Sequence, residues 1–399
     1  MAHEDIGREQ IEERTVAPEA PIGPSEEPQD KSARTARLMD VALQVAMPFA
    51  AVLFAVLVGS VIIWAAGYDA VAAFSALFIG AFGGPRQIGE TIMRSTPLIF
   101  TGLAVAFAFR AGLFNIGAEG QLFIGGLVVA WLGLMLAGLP MLVAVPIMLV
   151  AAAIGGAAWA FIPAILKARV GAHEVITTMM FTFIARYLVS WIALGPLKAP
   201  GPIPQTPQLP PSALIPKFAE VLPFLGTGRA HLGFLVAVLV AVAVWLFYKY
   251  TVTGYELRAV GFNPDAAENG GISVARSTVI ALCASGAIAA LAGAVEVMAV
   301  QGKLFDQFSS GFGFTGIAVA LLAKNNPLGV IPAAILFGAM SAGGGTMELA
   351  SGVSPRIVDI IQALVILFVA SEGFFRVLIA RREKKRTARL NAVAEGAGV

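Results

Sequence analysis

Gly254-Tyr255-Glu256-Leu257-Arg258-Ala259-Val260-Gly261-Phe262-Asn263-Pro264-Asp265-Ala266-Ala267-Glu268-Asn269-Gly270-Gly271-Ile272 lies between two apolar runs, at 230–249 and 276–299. Within it, Asn263 can accept hydrogen bonds from the first free amides of a helix and Pro264 suits the first helical position. Asp265 and Glu268 complement the positive end of the helix dipole, and Gly270 can stop the helix. The stretch therefore reads as a surface helix of about two turns, too short to be stable alone. Either the rest of the chain or a partner must hold it. A capped polar helix set between two bilayer-length runs decides the fold class, a helical membrane protein with an elaborated loop.

Working outward, further apolar runs at 40–66, 90–109, 115–137, 140–166, 174–194, 311–323, 328–345 and 356–376 are separated by polar or Gly/Pro breaks. Together they make about ten segments, most near the roughly 20 residues that cross a bilayer core of about 30 Å as a helix. The run at 311–323 is too short for an ordinary span, and Lys324-Asn325-Asn326-Pro327 ends it abruptly, so a broken or partly re-entrant element is expected there. Composition agrees. Of 399 residues 58% are hydrophobic and 13% charged, with mean hydropathy +0.81, against about 45–50% and about 25% in soluble domains. A soluble enzyme is excluded, and the expected fold is an all-α integral membrane protein of about ten transmembrane helices with one short or broken span.

Lys and Arg accumulate on cytoplasmic flanks. With the N-terminus inside, the inner flanks hold Lys31, Arg34 and Arg37, then Arg110, Lys167, Arg169, Lys249, Arg258, Arg276 and Lys324, and a C-terminal cluster from Arg376 to Arg389. The outer loops hold Arg86, Lys198, Lys217, Arg229, Lys303 and Arg356, so the excess puts both termini in the cytoplasm. Residues 1–37 are acidic and proline-bearing without an apolar signal core, and read as a disordered cytoplasmic tail. Residues 38–378 form the transmembrane domain and 379–399 a basic cytoplasmic tail. The outer stretch 195–229 is rich in proline, which stiffens an extended chain and suits either a docking surface for an external partner or a plain spacer.

The net charge of +2 does not support a surface for nucleic acid. A single cysteine, Cys283, and the scattered His3, His173 and His231 offer no disulfide and no metal-ligand spacing. No catalytic constellation is readable, and no phosphate-binding G-x-x-x-x-G-K-[ST] loop occurs, so this chain is not expected to hydrolyse ATP itself. Gly311-Phe312-Gly313-Phe314-Thr315-Gly316 matches G-x-G-x-x-G, but it opens a membrane run, where close helix packing or a break is preferred to dinucleotide binding.

Polar groups at membrane depth carry functional weight. Asn115, Glu119 and Gln121 cluster near the inner end of the third run; His173, Glu174 and Thr177 cluster at the inner end of the fifth. These six are candidates for lining a solute path. Arg186 lies deeper in the fifth run, where it either pairs with Glu119 or Glu174 or lines a polar path. Glu90 and Arg94 share a helix face at i, i+4 and form a local pair, while Glu296 near the outer mouth can meet solvent or a cationic partner. Phe100-Thr101-Gly102-Leu103-Ala104-Val105-Ala106 recurs as Phe314-Thr315-Gly316-Ile317-Ala318-Val319-Ala320, by chance or as the trace of a repeated element beside a transport path.

Arg94-Ser95-Thr96-Pro97-Leu98-Ile99-Phe100-Thr101-Gly102, continued by Phe109-Arg110-Ala111-Gly112-Leu113-Phe114-Asn115-Ile116-Gly117-Ala118-Glu119-Gly120-Gln121, resembles the permease subunits of bacterial ABC importers of the branched-chain amino acid and simple sugar group. The likeness is greatest to the nucleoside-type permeases. Gly171-Ala172-His173-Glu174-Val175-Ile176-Thr177-Thr178 and the loop from Leu257 to Ile272 add to it, over about residues 40–378. His173 stands where relatives often carry Asn, and Asn269-Gly270 replaces a more usual aromatic and small pair. The resemblance implies a multi-pass permease of the bacterial inner membrane. It would pair with a second, related permease, bind a cytoplasmic ABC ATPase that carries ATP and Mg, and accept solute from an external substrate-binding protein; no cofactor would sit on this chain. It also implies that Arg258, Gly261, Asn263, Pro264, Ala267 and Gly271 belong to the segment that couples to the ATPase. The expected function is import of a nucleoside or related simple sugar. A branched-chain amino acid permease shares the same motifs, and an ion-coupled secondary transporter would use Glu119 or Arg186 but leaves the inner loop unexplained.

Overall fold

A computed structural model describes residues 50–221 and 228–368; the expected tails at 1–37 and 379–399 lie outside the described residues. Helices α1 (Ala50–Ala65), α2 (Ala70–Phe82), α3 (Pro85–Arg110), α4 (Ala118–Met135), α5 (Met141–Val170) and α6 (Glu174–Leu194) follow one another through short turns. A long connection, with a 3-10 turn at Pro211–Ala213 and a single α-helical turn, α7 (Phe218–Val221), among its described residues, leads to α8 (Gly233–Tyr250), α9 (Val252–Phe262), α10 (Pro264–Asn269) and α11 (Val274–Val295). Helices α12 (Phe312–Leu322), α13 (Val330–Ser351) and α14 (356–368) complete the order among the described residues. Among the described residues the β-structure is confined to two isolated bridges, Gln205 with Phe305 and Lys217 with His231.

Among the described residues seven helices are long and apolar enough to cross a membrane: α3, α4, α5, α6, α8, α11 together with the π turn that extends it to Gln301, and α13. Each expected apolar run contains a helix. Helix α2 was not anticipated; its 13 residues fall short of a span, yet its start is marked by Asp69, whose carboxylate accepts from the Val71 and Ala72 amides at 2.8 and 3.1 Å.

Helices that are apolar on every side do not reveal by periodicity which of them is central. Burial does: 83% of the apolar window of α3 is enclosed, against 22% in α5 and α6. Helix α11 packs on α3, α4 and α5 through small residues. A Cβ on Gly293 would overlap the Leu122 carbonyl and one on Gly125 the Ala290 carbonyl, so only glycine lets α4 and α11 approach this closely.

The broken element takes a definite form. The chain leaves the π turn at Gln301, returns as non-helical backbone over 302–311, and becomes helical as the 11-residue α12. The proline-rich connection straps the non-helical part down. Thr206 N donates to Leu304 O at 2.9 Å, Leu304 N donates to Thr206 Oγ1 at 3.0 Å, and Asp306 N donates to Pro204 O at 3.1 Å. With Thr206, Leu209 and Ala213 buried, this connection is built into the bundle and is not a free spacer.

The two copies of the Phe-Thr-Gly repeat meet each other. Thr101 Oγ1 on α3 donates to Phe312 O on α12 at 3.0 Å. A Cβ on Gly102 would lie 2.8 Å from Val319 Cγ1, and one on Gly316 would lie 2.7 Å from Thr101 Cβ. The glycines and threonine of the repeat thus form the α3–α12 crossing, the close-packing role preferred above for the G-x-G-x-x-G match.

Candidate functional site

Three polar regions stand out, at one end of the bundle, in its interior and on its flank. At the end, α9 and α10 form the loop between α8 and α11. Asn263 Oδ1 accepts from Ala266 N at 3.0 Å, and Pro264 occupies the first turn of α10. The left-handed residue that closes the segment is Gly271, at φ 83°, one position beyond Gly270. Ala267 is buried, and Arg258 turns back on its own helix, its Nε 3.4 Å from Gly254 O.

This chain itself holds the loop. A Cβ on Gly261 would overlap the Arg110 carbonyl oxygen, and one on Gly112, itself at φ 72°, would lie 3.2 Å from Gly261 Cα, so α9 sits directly on the end of α3. Arg110 lies over the Tyr248 ring at 5.1 Å and donates from Nε to Asn325 O at 2.8 Å, while Tyr248 Oη donates to Phe107 O at 2.7 Å. The loop's outer side stays apolar and open. Val252, Tyr255 and Phe262, the last 90% exposed, flank a groove of about 440 Å³ between α9 and α10, with Asn263, Ala266 and Gly270 in its wall.

In the interior, Asn115, Glu119 and Gln121 are buried. Asn115 Nδ2 donates to Gln121 Oε1 at 2.9 Å and to Ser285 Oγ at 2.8 Å, and Ser285 Oγ donates to Ala104 O at 2.6 Å. Asn115 Oδ1 accepts from Gly117 N at 2.9 Å, so the turn into α4 is fully tied to α3 and α11. Glu119 Oε2 accepts from Gly313 N at 2.6 Å, in the first turn of α12. His173, Glu174 and Thr177 lie apart from this knot, at the α5–α6 corner. There Lys167 Nζ is 2.8 Å from Glu174 Oε2, and Thr177 Oγ1 bonds back to Glu174 O at 3.2 Å.

Arg186 forms neither of the carboxylate pairs anticipated for it. Its Nη2 donates to Gln307 Oε1 at 2.6 Å, because the non-helical 302–311 segment brings an amide within its reach. Nor does Glu296 face solvent: it is buried at the start of the π turn and accepts from Gln301 Nε2 at 3.1 Å. Glu90 and Arg94 do pair, at 3.1 Å, and Arg229 joins them at 3.4 Å. Beside Arg229, His231 is buried, and neither ring nitrogen has a hydrogen-bond partner; burial, helped by the Arg229 cation, pushes its imidazole down to about 4.

Ser285 and Gln307 were not singled out from the sequence. A Ser in the middle of an apolar run, two turns from the Ser277-Thr278 pair at its start, is the signal that would have found the first. The second lies in a stretch with no regular pattern. Among the described residues no group of His, Cys, Asp and Glu could hold a metal ion.

Residues 87–370 match the family described as branched-chain amino acid transport system / permease component. The chain is 41% identical over 347 residues to the guanosine ABC transporter permease protein NupP of Bacillus subtilis (strain 168), covering 85% of this chain and 97% of that protein. It is 38% identical to the glucose ABC transporter permease protein TsgB13 of Haloferax volcanii, covering 82% and 88%, and 33% identical to the nucleoside ABC transporter permease protein NupB of Lactococcus lactis subsp. cremoris, covering 85% and 94%. Each of these organisms holds a second matching permease, at 26% or 27% identity. No solved structure gives a significant match. A helical bundle with seven membrane-length helices, matched over most of its length by this model and these relatives, is a multi-pass membrane protein, and the chain belongs to the branched-chain amino acid transport system permease family.

Proposed function

We propose that this chain is the permease subunit of an ATP-driven importer and forms half of the membrane path for a nucleoside or related simple sugar. The observation that carries this is the α9–α10 loop, an apolar groove seated on the end of α3 by the Gly112–Gly261 contact. A loop fixed to a central helix but open on its outer side suits a partner whose movements must be passed into the bundle. The relatives named for guanosine, nucleoside and glucose transport support the solute class.

In this reading a cytoplasmic ATPase, carrying ATP and Mg, docks on Tyr255, Phe262 and the capped turn from Asn263 to Gly271. Arg258, Gly261, Pro264 and Ala267 hold that turn in shape. Ten segments cross the inner membrane, α12 as the short one, and both termini are cytoplasmic, as the distribution of Lys and Arg favours. An external substrate-binding protein meets the opposite end, where the proline-rich strap lies. The other half of the path is a second, related permease, in keeping with the two permeases matched in each of three organisms. Asn115, Glu119 and Gln121 back the path by fixing α4 and α12; His173, Glu174 and Thr177 stand at its inner mouth.

The test is to change the loop without touching the path. Asn263→Ala removes the α10 cap, and Arg258→Ala removes a charge from α9. In the reconstituted complex both are expected to leave ATP hydrolysis running while uptake falls. Unchanged uptake in both variants would refute the assignment of the loop.

A further inference from the structure

Arg186 is out of place for a lipid-facing residue. It lies twelve residues after the start of α6 and eight before its end at Leu194, about 12 Å from that end at 1.5 Å per residue. The residue is exposed on the flank of the bundle. An arginine at that depth is costly against lipid tails, and it can relieve the cost by reaching along its helix toward the interface. This one does not: its guanidinium is held at depth by Gln307, at 2.6 Å. Gln307 is itself exposed and takes φ 55°, a left-handed conformation uncommon for a residue with a side chain. Phe183, one turn before Arg186 on the same helix, is 40% exposed, and Tyr187 beside it 72%.

A guanidinium carries several N–H donors and no acceptor, and Gln307 occupies one of them. Exposed rings next to unfilled donors suit a solute with a planar ring and carbonyl or hydroxyl acceptors. We propose that Arg186 and Gln307, with Phe183 and Tyr187, form a solute-contacting site on the water-filled side of the bundle, and that it takes neutral solutes of the nucleoside class. This rests on the importer reading above. Ile184, half exposed and two residues before Arg186, points to the other side of α6 and is the position expected to face lipid.

The chain's single cysteine makes the test direct. In a Cys283→Ser background, Arg186→Cys and Ile184→Cys are each placed in the assembled importer in proteoliposomes and treated with a membrane-impermeant cationic thiosulfonate, which reacts with thiols that water can ionise. Arg186→Cys is expected to react at least about tenfold faster than Ile184→Cys. Equal rates at the two positions would overturn the water-facing placement. Phe183→Cys in the same background keeps Arg186 and Gln307 in place, and guanosine or uridine is expected to slow its labelling about threefold. Labelling of Phe183→Cys that guanosine, uridine and glucose all leave unchanged would overturn the solute contact and assign Arg186 to another role. Uptake of the same three solutes by the unsubstituted chain is measured in parallel. Loss of all uptake there counts against the importer reading, while the labelling rates still decide where Arg186 faces.

Discussion

Glu119 of α4 and Gly313 of α12 are joined by a 2.6 Å hydrogen bond in which the carboxylate accepts from the backbone amide. A helix that begins inside a membrane has free amides and no water to satisfy them. Glu119 supplies the missing acceptor, and its charge opposes the positive end of the helix dipole. The same bond links the starts of two helices, so α12 can be short because α4 completes it. The close approach depends on Gly313, where a Cβ would overlap the Glu119 amide.

Removing that acceptor should loosen the broken element. Glu119→Ala is expected to lower the stability of the purified permease by about 1–2 kcal/mol, read as a lower thermal unfolding midpoint in detergent. Glu119→Gln, which keeps an acceptor oxygen, should recover most of the loss. Equal loss in both variants would show that the charge, not the hydrogen bond, does the holding.

Gly261 offers a test of the loop's seating. Because a Cβ there meets backbone rather than a movable side chain, Gly261→Ala must push α9 away from the end of α3. The expected outcome is a chain that still inserts but shows a marked fall in solute transported per ATP hydrolysed, measured in the same vesicles.

Ser285→Ala probes the interior knot. The hydroxyl both accepts from Asn115 and donates to Ala104 O, so its removal takes one of the two hydrogen bonds of the buried Asn115 amide nitrogen and the side-chain bond of Ala104 O. A loss of about 1–3 kcal/mol is expected in unfolding measurements. A neutral result would mean that the turn into α4 is held by the Asn115–Gln121 pair alone.

His231 gives a pH signature. Its folded value, about 4, lies below the ordinary 6.5, so the unfolded chain binds the proton more readily. Stability from this group is fully present above pH 6.5 and declines as the pH falls from 6.5 toward 4, by on the order of 1–3 kcal/mol in all. His231→Leu should flatten the unfolding curve across that window, and it should cost little at pH 7.5 because the ring nitrogens have no partners to lose.

Much of this was legible in the chain. The Asn263-Pro264 cap, the abrupt end after Leu322 and the Glu90–Arg94 pair follow from local chemistry, which needs no knowledge of the partner helix. The grouping of polar residues did not. Asn115 and Gln121 are bonded to each other, and Asn115 also donates to Ser285, 170 positions away, a partner that no local pattern announces. Arg186 had a carboxylate within reach on paper, but its partner Gln307 lies in a segment whose course depends on the strap from Pro204 to Leu209. Helix α2 escaped notice because 13 residues neither span a bilayer nor show a polar face. What sequence periodicity does not reveal in an apolar bundle is which side of each helix meets which neighbour.

The account's central claim is best tested by uptake in proteoliposomes that hold this permease, its related permease, the ATPase and the binding protein. Labelled guanosine, uridine, glucose and leucine are compared with and without ATP, and again after ion gradients are collapsed. The account predicts nucleoside or sugar uptake that requires ATP and survives loss of the gradients. Uptake that continues without ATP and stops when the gradients collapse would contradict it.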